Sequence, residues 1–202
     1  MKHKFTLIYE LDTTVPCAVG AYLDAEHYAF LHNKYCPQFE VLQHEGRKII
    51  SRQTWQHGRR RAGHIYTSEY VPPARFLNYD LRPWPRWRPS IHHVMKSRTD
   101  LRYYENSDGT ATVSHLEVEL DLPFWLWPLR HVIERKMCAL KREKDAEDME
   151  MIERRAKLFG RGNIKSYLAE HQFMLHKDDF VEHFGRVGAP SSDAPRTRAP
   201  LR

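Results

Sequence analysis

The pattern of apolar and polar positions changes its period twice along the chain. Residues 4–11, Lys-Phe-Thr-Leu-Ile-Tyr-Glu-Leu, are rich in β-branched and aromatic types and predict a strand. Thr13-Thr14-Val15-Pro16 then sets a cap residue and a proline where a helix would begin. A second short helix is expected over about 25–33, ended by Cys36-Pro37. Beyond it the pattern predicts strands over 39–44, 48–56, 64–71, 75–81, 92–104 and 110–121, parted by Glu45-Gly46, Pro72-Pro73 and Ser107-Asp108-Gly109. In the last strand Ser114, Leu116, Val118 and Leu120 share one face, and Val113, His115, Glu117 and Glu119 share the other. Residues 129–159 hold neither Gly nor Pro and read as one long helix. Helical steps of 100° give that helix an inward stripe of Leu129, Ile133, Met137, Leu140, Met151 and Leu158. Glu147 and Asp148 flank the stripe, and Asp145 points away from it.

A strand, two short helices, six strands and a long closing helix form an α+β pattern in which a curved antiparallel sheet wraps around a helix. On this order residues 3–159 resemble the START-like superfamily, whose fold is the helix-grip. The resemblance implies an elongated apolar cavity between sheet and helix, suited to a lipid, sterol, polyketide or aromatic molecule. It implies a pocket and not a reaction. The expected organisation is a helix-grip domain over 1–160, a helical extension over 161–186 and a disordered tail over 187–202, where Pro, Ser and Arg replace large apolar residues.

Composition narrows this reading without changing it. The 202 residues are 41% hydrophobic and 29% charged, the balance of a folded globular chain of one core. Lys and Arg exceed Asp and Glu by 32 to 26, a net charge of +6. No nucleic-acid motif accompanies that charge, although Arg59-Arg60-Arg61 and the Arg/Trp segment 82–88 are basic, so no nucleic-acid partner is expected. Cys17, Cys36 and Cys138 form no metal or disulfide spacing, which fits a reducing, cytoplasmic setting. No apolar run reaches the length of a signal core or a transmembrane segment. The most apolar stretch, 124–129, is expected in the core or at a pocket entrance.

Candidate chemistry lies in Asp24-x2-His27-x4-His32. Two imidazoles five residues apart differ by about 140° around an ideal helix, so they reach one ion only where the helix ends or kinks. A divalent metal on two His needs a third ligand, and a carboxylate completes the set that leaves open positions on non-haem Fe(II). Glu147 and Asp148 on the long helix are the candidates.

Asp24-x2-His27-x4-His32 together with Glu147-Asp148-x4-Glu153 resembles the catalytic domain of Rieske-type non-haem iron oxygenases, which are START-like. The resemblance implies His27, His32 and Asp148 as Fe(II) ligands and Asp24 as the link toward an electron-donating cluster. It also implies O₂ chemistry on a hydrophobic or aromatic molecule. Two departures stand out: Ala21 replaces the family's Asn, and the chain has no C-x-H or C-x2-H pair for a Rieske cluster. Electrons would therefore come from a separate partner protein, and a homo-oligomer would suit such a site. The competing reading is a metal-free carrier of a hydrophobic ligand, or a cyclase or aromatase of the same fold. Tyr28 and 84–87 are expected at the pocket or its entrance.

Overall fold

The computed structural model describes residues 1–24, 36–57, 60–170 and 174–185. Its elements are β1 (Lys2–Leu11), α1 (Val15–Leu23), β2 (Gln38–Glu45), β3 (Lys48–His57), β4 (Arg60–Val71), β5 (Arg75–Trp84), β6 (Lys96–Glu105), β7 (Thr112–Asp121), α2 (Arg130–Glu170) and α3 (Lys177–Phe184). Short 3₁₀ turns occupy Ile91–His93 and Phe124–Leu129.

The seven strands form one antiparallel sheet in the order β1-β7-β6-β5-β4-β3-β2. Strict alternation fixes the register: Leu7 opposes Leu116, and Leu116 opposes Leu101, so one row of apolar side chains crosses three strands on the inward face. Register shifts at Val41/Gln43 and at Ile65/Thr67, with Asp80 at φ 57° on the adjoining strand, bend the sheet toward the helices. Gly63 is required where β4 passes β5, because a Cβ there would lie 2.5 Å from the Trp84 carbonyl oxygen.

α1 starts at Val15 with Pro16 in its first turn, where a missing N–H costs nothing. Its small residues Cys17, Ala18, Gly20 and Ala21 are buried and let α2 approach closely, the Cys17 thiol lying 3.8 Å from the Ile152 carbonyl oxygen. α1, α2 and α3 cover the inward face around a core that includes Leu120, Leu122, Val118, Val19 and Phe180. This is the helix-grip architecture that the sequence pattern implied.

Several expectations change. Gly160 does not end the closing helix, which runs unbroken to Glu170, so the expected boundary at 160 falls inside one element. Gly costs a helix only about 1 kcal/mol, too little to stop forty residues of it. Residues 91–93 form a 3₁₀ turn and not strand, since Ser90 caps them through its hydroxyl. The expected inward stripe of α2 holds only in part, with Ile133, Met137 and Met151 packed against the core. Leu129 and Leu140 are half exposed, whereas Asp145 is buried and Ile152 is 4% exposed. The 124–129 segment divides: Leu126 is buried, but Phe124 and Trp125 face solvent, and so does Trp87, which was expected at the pocket. The expected helix over 25–33, with Tyr28, and the tail over 187–202 lie outside the described residues.

Candidate functional site

The inward wall of the sheet is not uniformly apolar. Cross-strand pairing places Ser51 opposite Tyr66, Gln53 opposite His64, Ile49 opposite Ser68, Ser68 opposite Asn78 and Asn78 opposite Thr99. These side chains form a belt of hydroxyl and amide groups across β3 to β6, flanked by the apolar row on β6, β7 and β1. The Asn78 amide nitrogen donates to the Tyr22 hydroxyl on α1 at 3.0 Å and to the Thr99 hydroxyl at 3.1 Å. Gln53 donates to the Tyr66 hydroxyl. Ser51 is 1% exposed, and its hydroxyl has no hydrogen-bond partner among the described residues. A buried hydroxyl left without a partner costs about 1–3 kcal/mol, so this position on the wall favours a further polar group beside Ser51.

A column of rings runs beside the belt. Tyr22 stacks on Phe76 with centroids 4.0 Å apart, Phe76 stacks on Tyr70 at 5.1 Å, and Tyr70 faces His176 at 5.7 Å. Tyr22, Leu23, Ile49, Ser68, Tyr70, Phe76, Leu175 and His176 enclose a cavity of about 20 Å³. That is room for about one water molecule. Tyr22, Phe76 and Tyr70 form one side of it. Tyr22, Tyr66, Ser68, Asn78, Thr99 and Tyr103 point inward yet keep some accessible surface, as the walls of a crevice do.

α2 brings charge to this wall. The Lys141 ammonium lies 2.5 Å from the Asp145 carboxylate, one helical turn on. Burial works against the ammonium, but Asp145 and Asp148 more than offset it and hold the Lys141 pKa above its ordinary value. Burial, with Asp145 adding, pushes Tyr9 up to about 12. Burial likewise raises Tyr22, and Tyr103 further, with Asp148 contributing to both. At neutral pH all three phenols stay protonated, so the crevice offers neutral hydroxyls beside one paired ammonium.

α3 closes the end of the sheet nearest β2 and β3. Phe180 is fully buried, and Arg47 in the β2–β3 turn forks onto Asp179 at 2.6 and 2.8 Å. The Leu175 N–H donates to the Leu23 carbonyl at 2.8 Å, and Asp24 and Met174 form an isolated antiparallel bridge. His176, at φ 52°, packs against His44 with ring nitrogens 3.4 Å apart; burial, then His44, lowers its pKa to about 4. A second imidazole pair, His64 and His92, stands 5.1 Å apart by centroids, and burial with His92 lowers His64 to about 4.

Of the residues predicted from sequence, His27 and His32 lie outside the described residues. Asp148 is half-buried on the face of α2 that bears on Tyr22 and Tyr103. Asp24 is 2% exposed at the C-terminal end of α1, where its backbone ties α1 to the approach to α3. Glu147 is half-buried. The belt residues Asn78 and Thr99, the phenols of Tyr22 and Tyr103, and Lys141 were missed. Their signal was polar side chains at inward-facing strand positions, legible once register is known.

No family model and no curated protein matches the chain. Solved structures do match in fold. The Zhui aromatase/cyclase from Streptomyces sp. R1128 aligns with TM-score 0.59 at 12% identity over 79% of this chain and 99% of that one. The di-domain aromatase/cyclase StfQ of the steffimycin biosynthetic pathway aligns with TM-score 0.62 at 8% identity, over 78% of this chain and 53% of that one. A START superfamily protein from Mycobacterium smegmatis aligns with TM-score 0.55 at 13% identity, over 75% and 98%. These neighbours bear out the helix-grip fold that the resemblance implied and lend no support to its narrower oxygenase form.

Proposed function

We propose that this helix-grip chain binds a flat, oxygenated hydrophobic molecule, of the phenolic or polyketide class, between the sheet and α2. The observation that carries this reading is the uncharged belt of Ser51, Gln53, Tyr66, Ser68, Asn78 and Thr99 beside the Tyr22–Phe76–Tyr70 ring column. A saturated acyl chain would offer the buried Ser51 hydroxyl nothing, whereas a ring bearing hydroxyl or carbonyl oxygens stacks on the column and hydrogen-bonds to the belt. Fold neighbours that are aromatase/cyclases support the same ligand class. In the enzymatic form of this reading, the chain would cyclise such a ligand, with Lys141 and Asp148 as its ionisable groups and Tyr22 and Tyr103 as donors to developing oxyanions.

The probes are 1-naphthol and palmitate, titrated calorimetrically into the whole chain. Naphthol is expected to bind with a Kd in the micromolar range and palmitate more weakly, and the Tyr22→Phe/Asn78→Leu double variant should lose the naphthol. Equal or tighter palmitate binding overturns the reading.

The position of Asp148 on the crevice side of α2 favours a second reading, the mononuclear Fe(II) centre of His27, His32 and Asp148 fed by a separate electron-transfer partner. The donor set is right for Fe(II), which would supply O₂ activation. Iron analysis after anaerobic Fe(II) loading tests it: about one iron per chain, lost in His27→Ala/His32→Ala, supports it, and iron retained by that variant removes it.

A further inference from the structure

Away from the crevice, at the edge where β1 meets the start of α2, two imidazoles and a carboxylate converge. His3 lies on the inward face of β1, opposite Leu120 of β7, and its side chain is 11% exposed. His131 and Glu134 stand three residues apart in the first turns of α2, so both project from one helix face. The His3 Nε2 lies 2.8 Å from the Glu134 Oε2, and the His131 Nδ1 lies 3.3 Å from the same oxygen. All three candidate donor atoms fall within 4.8 Å of one another. The imidazole rings meet edge to face, with centroids 5.2 Å apart, so neither ring blocks the other's nitrogen.

We infer that His3, His131 and Glu134 form a surface site for a borderline divalent cation such as Zn²⁺, clamping β1 to α2. Zinc takes nitrogen and oxygen donors at about 2.0–2.1 Å in a tetrahedral arrangement, which sets neighbouring donor atoms about 3.3 Å apart. The edge from Glu134 to His131, 3.3 Å, matches that spacing, the edge to His3, 2.8 Å, has to open by about 0.5 Å, and the His3–His131 edge lies within 4.8 Å. The exposed His131 side chain has the freedom to adjust. Three protein donors leave the fourth position to water. Two imidazoles with one carboxylate suit Zn²⁺, Ni²⁺ or Cu²⁺ and are a poor set for Mg²⁺ or Ca²⁺, which prefer oxygen. The strand is locked in a seven-stranded sheet and the helix in the core, so binding costs little ordering of backbone.

The test is Zn²⁺ titration of the untagged full chain by isothermal calorimetry at pH 7.5, followed by Cu²⁺ quenching of tryptophan fluorescence. Trp127, its ring 6.1 Å from that of His3, is the local reporter. One zinc per chain is expected with a Kd in the micromolar range, together with a rise in melting temperature. His131→Ala, at an exposed position, should keep the fold and weaken zinc by about 100-fold. Glu134→Gln should do the same and abolish the fast Cu²⁺ quench. Because the chain has 13 His, zinc bound equally well by His131→Ala would place the metal elsewhere and overturn the inference, as would absence of binding by the wild type.

Discussion

The Asn78 side chain on β5 donates to the Tyr22 hydroxyl on α1 at 3.0 Å, joining sheet to helix across the crevice. Tyr22→Phe removes the acceptor and leaves the Asn78 amide with Thr99 alone. The expected cost to stability is about 1 kcal/mol, and the expected loss of naphthol affinity is about tenfold, because the ligand oxygen loses its nearest hydroxyl. Paired denaturant and binding titrations check both.

Acid should loosen the fold in two separate windows. His176 and His64 are held neutral, with pKa values near 4 against an ordinary 6.5, so the unfolded chain binds more protons than the folded one between those values. Their contribution is complete above about pH 6.5 and falls away as the pH drops toward 4. Asp100 behaves likewise further down. Burial disfavours its anion, but the guanidinium groups of Arg75 and Arg102 prevail and hold it at about 2. Its contribution is lost from about pH 3.8 downward through 2. Melting temperature followed from pH 7.5 to 3 should decline first below 6.5, and His176→Asn, which tolerates the left-handed backbone, should flatten that first decline.

α3 is anchored chiefly by one side chain. Phe180→Ala empties a fully buried site and should cost about 3–5 kcal/mol. Hydrogen exchange over residues 174–185 should then rise ahead of exchange in β6 and β7. Uniform destabilisation would mean that α3 belongs to the core and is not a separable cover.

The sheet was legible because period-two alternation survives in β6 and β7, and the inward set Ser114, Leu116, Val118 and Leu120 is buried as expected. The α2 stripe was legible only in part: Ile133, Met137 and Met151 pack against the core, but the inward face also carries Lys141 and Asp145. A rule that seeks apolar residues reads a buried ion pair as solvent-facing, and Asp145 was placed on the wrong side for that reason. The belt escaped notice for a related cause: Asn78 and Thr99 meet only through the pairing of β5 with β6, a long-range relation that no local spacing encodes. His3 and His131 are 128 residues apart and were equally invisible.

The Lys141–Asp145 pair can be tested directly. Asp145→Asn removes the charge beside a partly exposed ammonium and, with solvent screening the pair, should destabilise the chain by about 1 kcal/mol. Lys141→Met with Asp145→Leu should recover most of that loss, since burying apolar groups there leaves no charge unmatched. Thermal melts of the single and double variants give the answer.

The most direct measurement is backbone amide chemical-shift mapping with 1-naphthol added to the isotope-labelled chain. If the crevice is the binding site, the largest changes fall at Tyr22, Ser68, Asn78, Thr99 and Tyr103 and saturate together. Shifts confined to the exposed Phe124, Trp125 and Trp87, or none at all, would contradict it.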